Sequence, residues 1–127
     1  MSKPARVEKL ETGTYLFICM DGPDTPPLRA KHLFGHLDHI EAHNEKYRAA
    51  GPMRENDDGE IVGSFFLVAA NSKDEAYAVM NGDPYMASDM YASVTVHHIT
   101  PACGAWIGGI IWDQDEIKAN MEKYTKG

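Results

Sequence analysis

The chain has 127 residues, 43% hydrophobic and 24% charged, a balance that fits one ordinary globular domain with its own core. A formal net charge of -7 with no basic cluster argues against a nucleic-acid partner, and the longest apolar runs, Tyr15 to Met20 and Ile61 to Ala70, are too short to span a bilayer. Cys19 and Cys103 form no disulfide framework and have no metal-type spacing, and the N-terminal segment lacks an apolar signal core, so the expected location is the cytoplasm.

Residues 1–12 read as a polar leader, 13–101 as the main domain and 102–127 as a C-terminal extension. Thr14 to Met20 is β-rich and apolar on both faces, the pattern of a buried strand. Asp21 to Pro27 is a loop with three prolines. A helix is expected from Leu28 to about Ala50, with Leu33, Leu37, Ile40 and Tyr47 on one face, and Gly51-Pro52 ends it or ends a short strand just before. Asn56 to Gly59 form a hairpin-type turn into Ile61 to Ala70, the strongest strand. Ser72 and Glu75 make a capping box for the next helix, Ala76, Val79 and Met80 form its inward stripe, and Asn81-Gly82 stop it by tolerating the left-handed conformation. Pro84 then restricts Asp83 to an extended conformation at a rigid corner. A short helical piece around Met86 to Tyr91 precedes a strand from Ser93 to Ile99.

The order β, α, short β, β, α, β is that of an α+β ferredoxin-like split βαβ sandwich. Two helices cover one face of such a sheet. The strands at 15–20 and 61–70 look apolar on both faces, so a homodimer with sheets packed face to face is expected, the competing cover being the C-terminal tail. In that tail, Cys103 to Trp112 reads as an apolar edge or interface segment, and Asp113 to Tyr124 as a short polar helix.

His32, His36, His39 and His43 follow one another at spacings of four, three and four, a single stripe beside the apolar face of the long helix. Three readings fit the stripe: metal ligation, acid–base work by one imidazole, or a solvated flank, which is favoured for His39 and His43. An isolated Asp-Pro corner, in turn, either satisfies turn amides or presents a carboxylate to a pocket.

Several short signatures then fall in order: Arg29-Ala30-Lys31-His32-Leu33 with His36-Leu37, Gly51-Pro52-Met53, Asp58-Gly59, Gly63-Ser64, the Ser72, Glu75 and Ala76 helix start, and Asp83-Pro84-Tyr85. In this order the sequence resembles the YciI-like (YCII-related) family over residues 14 to about 101. The resemblance implies a dimeric α+β barrel, akin to that of muconolactone isomerases, and a pocket where a helix histidine meets the Asp-Pro-Tyr aspartate. Asp83 matches that aspartate; His36 is taken as the histidine, with His32 second. The family's known or proposed activities act on small ring-derived or chlorinated aromatic metabolites by elimination, dehydrochlorination or isomerisation.

The expectation is therefore a His36–Asp83 dyad that moves a proton on a small-molecule substrate without a cofactor or metal, with His32, Arg29, Ser64 and Tyr85 binding the substrate. The alternative is a dimeric module that binds an aromatic metabolite without turning it over.

Overall fold

A computed structural model of the chain describes residues 3–126, with side chains to Lys123; Met1, Ser2 and Gly127, the ends of the expected leader and extension, lie outside the described residues. Residues 12–99 form one compact unit, and the described residues before Thr12 join those from Thr100 onward in a second.

In the first unit, β1 (Gly13–Asp21), β2 (Tyr47–Arg54), β3 (Ile61–Ala70) and β4 (Tyr91–Ile99) form an antiparallel sheet of order β2-β3-β1-β4. Its central pair is in register Tyr15↔Val68, Phe17↔Phe66 and Cys19↔Ser64, so the two-residue period puts all six side chains on one face, and all six are buried. Helices α2 (Leu33–Ala42) and α3 (Lys73–Met80) contribute Ile40, Ala76, Val79 and Met80 to the same core. Phe17, Phe66 and Met80 are fully buried, and each such side chain contributes roughly 1.5–3 kcal/mol. Leu16, Ile18, Phe65 and Leu67 point to the opposite face, where they are half-buried.

The start of α3 follows the expected capping box. Ser72 Oγ accepts from the Glu75 amide at 3.1 Å, and Glu75 Oε2 accepts from the Asn71 amide at 3.2 Å. The stop differs from expectation. Asn81 has φ -68° and ψ -14°, and Gly82 has no positive φ, so the helix ends without a left-handed residue. The chain turns instead through Asp83, extended at φ -85° and ψ 126°, into α4 (Pro84–Ala87). This short helix lies ahead of the piece expected at Met86 to Tyr91, and Tyr91 already belongs to β4.

The long helix expected from Leu28 to Ala50 does not form. It is replaced by α1 (Thr25–Lys31), α2, a 3-10 turn at Asn44–Lys46 and the strand β2. Pro26 and Pro27 fall in the first turn of α1, where a missing amide costs little. At the far end, Ala49, Ala50 and Gly51 pair with Leu67, Phe66 and Phe65, giving the edge of β3 its hydrogen-bonding partner. Tyr47 shares the helical spacing of Leu33 and Ile40, yet it reaches the helix from the sheet by folding back.

The second unit holds a minimal ladder of β5 (Cys103–Gly104) and β6 (Gly109–Ile110), a parallel bridge from Arg6 to Ile110, and α5 (Gln114–Lys126). Gly104 and Gly108 have φ of +126° and +82°, so this turn depends on glycine. Asp113 Oδ1 accepts from the Asp115 amide at 2.8 Å and starts α5, while Arg6 lies near both Asp113 and Glu116.

Candidate functional site

A cavity of about 550 Å³ opens within the first unit, a size in the range of small-molecule sites. Pro26, Arg29 and Ala30 of α1 and Leu33, His36, Leu37 and Ile40 of α2 form one wall; Ala50, Gly51 and Pro52 of β2, Ile61, Ser64 and Phe66 of β3, and Tyr85 complete it. Its surface is mostly apolar, and its polar groups fall into two clusters.

The first cluster is built on the Asp83 corner. Asp83 is fully buried, and both carboxylate oxygens are engaged. Oδ1 accepts from the Tyr85 amide at 2.9 Å, and Oδ2 lies 2.7 Å from His36 Nδ1. A carboxylate accepts, so the ring carries its proton on Nδ1, leaving Nε2 as the nitrogen for a ligand. The Tyr85 ring stacks on the imidazole, centroids 3.9 Å apart and planes 6° from parallel. His36 is thus fixed in position by a hydrogen bond and in tilt by a stack.

The second cluster is centred on Arg29. Its Nη2 donates to Asp21 Oδ1 at 2.6 Å, its Nη1 donates to Ser64 Oγ at 3.2 Å, and the guanidinium lies over the rings of Tyr85 and Tyr91 at 5.4 and 5.8 Å. The Tyr91 hydroxyl donates to Ser64 Oγ at 3.0 Å. With two donors converging on it, the Ser64 oxygen directs its own hydrogen elsewhere. The Tyr85 hydroxyl donates to the Arg29 carbonyl at 3.3 Å, which ties α4 to α1 and links the clusters. Burial raises the Tyr85 and Tyr91 phenols above their ordinary range, with Arg29 acting against it, so both remain donors near neutral pH.

Of the residues singled out in the sequence, His36, Asp83, Arg29, Ser64 and Tyr85 therefore come together in one region. His32 sits at the joint between α1 and α2, outside the set of side chains lining the cavity, and its amide caps α1 through the Leu28 carbonyl. Expected as part of a solvated flank, His39 is instead buried. Its Nε2 shares a 2.7 Å hydrogen bond with the Tyr47 hydroxyl, its ring lies 4.7 Å from that of His43, and desolvation lowers its pKa below the ordinary histidine value. Among the described residues, no three His, Cys, Asp or Glu side chains converge as a metal ion would require.

Asp21 and Tyr91 escaped the sequence reading because one was assigned to a loop and the other to a helix. A signal for Asp21 was present: counting by twos from Tyr15 through Phe17 and Cys19 leads to it, although a bulge after Met20 intervenes. Tyr91 carried no comparable mark, since its role depends on where β4 begins.

The sheet order, the helices on one face and the pairing of His36 with the buried Asp83 beside a ligand-sized cavity define a small ferredoxin-like α+β protein. A sequence profile of the YCII-related domain matches residues 14–100, and the chain belongs to that family. Its fold is similar to that of 5-chloro-2-hydroxyhydroquinone dehydrochlorinase from Burkholderia phenoliruptrix AC1100, solved in complex with 2,5-dihydroxybenzoquinone: TM-score 0.62, 24% identity, 72% of this chain and 96% of that chain covered. A hypothetical Arabidopsis thaliana protein gives a TM-score of 0.44 and 12% identity over 82% of this chain and 96% of its own. No curated protein matches the sequence. Among the described residues, no helix is long and apolar enough to cross a membrane.

Proposed function

We propose that this chain is a small cytoplasmic enzyme that uses His36 and Asp83 for proton transfer on a hydroxylated, ring-derived metabolite, by dehydrochlorination or a related elimination or isomerisation, without a cofactor. The observation that carries the reading is the 2.7 Å contact between His36 Nδ1 and a fully buried Asp83 carboxylate at the wall of a small-molecule-sized cavity. A buried carboxylate on one imidazole nitrogen orients the other as a base, the arrangement general acid–base catalysis needs.

The structural neighbour's name supplies a concrete trial substrate. On a chlorinated hydroxyhydroquinone, His36 Nε2 takes a ring hydroxyl proton and returns it to the chlorine-bearing carbon, giving a keto tautomer. Loss of a second hydroxyl proton then pushes electrons toward the ring as the C–Cl bond breaks. Chloride leaves with the bond pair, a quinone remains, and the net loss is HCl, with no oxidant required. Arg29 and Ser64 hold an oxygen of the ring in this reading, and Tyr85 steadies His36. The apolar second face of the sheet, with Leu16, Ile18, Phe65 and Leu67, supports a homodimer.

The test is chloride release from 5-chloro-2-hydroxyhydroquinone. The wild type is expected to release chloride and His36→Ala and Asp83→Asn to lose turnover while still binding 2,5-dihydroxybenzoquinone. Full activity in both variants would overturn the dyad. Binding of the quinone with no turnover of this or related hydroxylated rings by the wild type would favour a module that only binds.

A further inference from the structure

Two glycines stand immediately before the two members of the dyad: Gly35 before His36 and Gly82 before Asp83. Neither has a positive φ, so nothing in its backbone conformation demands glycine. Gly35 lies inside α2, where glycine is disfavoured relative to alanine. The contacts supply a reason. A methyl group on Gly35 would lie 3.0 Å from Pro84 Cγ, and one on Gly82 would lie 3.1 Å from His39 Cε1 and 3.3 Å from its Nδ1. Each glycine thus admits a ring carried by the opposite element. Pro84 follows Asp83 and seats against α2; His39 lies one turn beyond His36 and seats against the corner. Along the two segments, the approaches of Gly35 to Pro84 and of His39 to Gly82 flank the pair joined by the 2.7 Å hydrogen bond.

We infer that Gly35 and Gly82 are positioning residues that set the separation of His36 and Asp83 by letting α2 and the Asp-Pro corner interlock. The inference rests on the dyad reading and extends it to residues that touch no ligand. A methyl group at either position moves the two elements apart by a few tenths of an ångström. The His36–Asp83 bond lengthens and the imidazole leaves its transfer geometry. The side chains that line the cavity remain.

The experiment is Gly35→Ala and Gly82→Ala, each assayed for chloride release from 5-chloro-2-hydroxyhydroquinone and followed by the proton NMR resonance of the His36 Nδ1–H. Misplacement of about 1 Å can cost on the order of 10²-fold, so a shift of tenths is expected to lower kcat about tenfold, with KM changed little. The resonance should move upfield, as it does when a charge-assisted hydrogen bond lengthens. In Gly35→Ala the gain in helix propensity opposes the cost of crowding Pro84, so a cooperative thermal transition close to that of the wild type is expected, and this separates lost positioning from lost folding. The geometric control is Gly35→Ala combined with Pro84→Ala, which removes the Cγ the new methyl would meet. In the Pro84→Ala background, Gly35→Ala should cost less than about twofold, a coupling of the kind seen between touching residues.

If Gly35→Ala and Gly82→Ala keep full kcat and an unmoved resonance while His36→Ala is inactive, the interlock is wrong and the dyad stands. If His36→Ala and Asp83→Asn are themselves fully active, the dyad has failed and the resonance alone decides whether the glycines set the bond. An equal loss from Gly35→Ala with and without Pro84 would overturn the contact assigned to Pro84.

Discussion

The two polar clusters of the cavity are wired in opposite ways. At the Asp83 corner, every group except the outer nitrogen of His36 is committed: Asp83 holds the Tyr85 amide and His36 Nδ1, and Tyr85 covers the ring. At the Arg29 end both terminal guanidinium nitrogens are committed, to Asp21 and to Ser64, and the group lies over two aromatic faces with its charge balanced where it stands, while its buried Nε has no partner among the described residues. One end presents a single ring nitrogen on a fixed imidazole. The other presents a rigid, charge-compensated frame. The first arrangement is suited to moving a proton and the second to holding a substrate oxygen in one place. Substitutions at the two ends should therefore fail differently.

The largest effect belongs to the corner. His36→Ala or Asp83→Asn should lower the turnover of a hydroxylated ring substrate by about 10²–10⁴-fold, read as kcat, with binding of 2,5-dihydroxybenzoquinone retained. At the Arg29 end, Asp21→Ala leaves a guanidinium largely buried without its carboxylate. Chemical denaturation should register a loss of about 3–5 kcal/mol, since the pair's side chains are only 16% and 9% exposed. Ser64→Ala should act on KM more than on kcat, by a factor corresponding to roughly 1 kcal/mol. A kcat loss from Ser64→Ala as deep as that from His36→Ala would erase the division between the two ends.

A smaller effect lies behind the corner, at His39. Burial lowers the pKa of this ring, so the folded state gives up its proton more readily than the unfolded chain, where histidine titrates near its ordinary value of about 6.5. The unfolded state takes up more protons below that value, so the contribution of His39 to stability is present above pH 6.5 and is lost as pH falls. His39→Gln should flatten the acid side of the stability–pH curve; an unchanged slope would mean that His39 titrates normally in the fold. The smallest effect concerns the thiols. Burial, aided by Asp83, pushes Cys19 up to about 12, whereas Cys103 is exposed, so a thiol reagent at pH 8 should label Cys103 and spare Cys19.

The sequence was most informative where structure is local. The strand character of β1 and β3, the Ser72–Glu75 box and the Pro84 restriction on Asp83 each depend on neighbours a few residues away, and each appears in the fold. The pairing of His36 with Asp83 was legible only as an expectation carried by the family resemblance, since 47 residues separate them. What could not be read locally depended on partners distant in sequence. Residues 47–50 were expected at the end of the long helix, with a short strand before Gly51-Pro52 as the other reading, and they belong to β2 at the edge of β3. His39 had the look of a surface residue until Tyr47 folded back over it. Asp21 gains its role from Arg29, and Tyr91 gains its role from Ser64, across the sheet.

The central claim, that His36 held by Asp83 moves a proton to and from a ring carbon, is tested most directly with a substrate that has no leaving group. Hydroxyhydroquinone without chlorine can accept a proton at a ring carbon and release it again, but it cannot eliminate. In D2O the wild-type protein should exchange its ring hydrogens for deuterium well above the uncatalysed rate, and His36→Ala should return that rate to background. Equal exchange by the wild type and His36→Ala, or a wild type that binds the ring and exchanges nothing, would contradict the account.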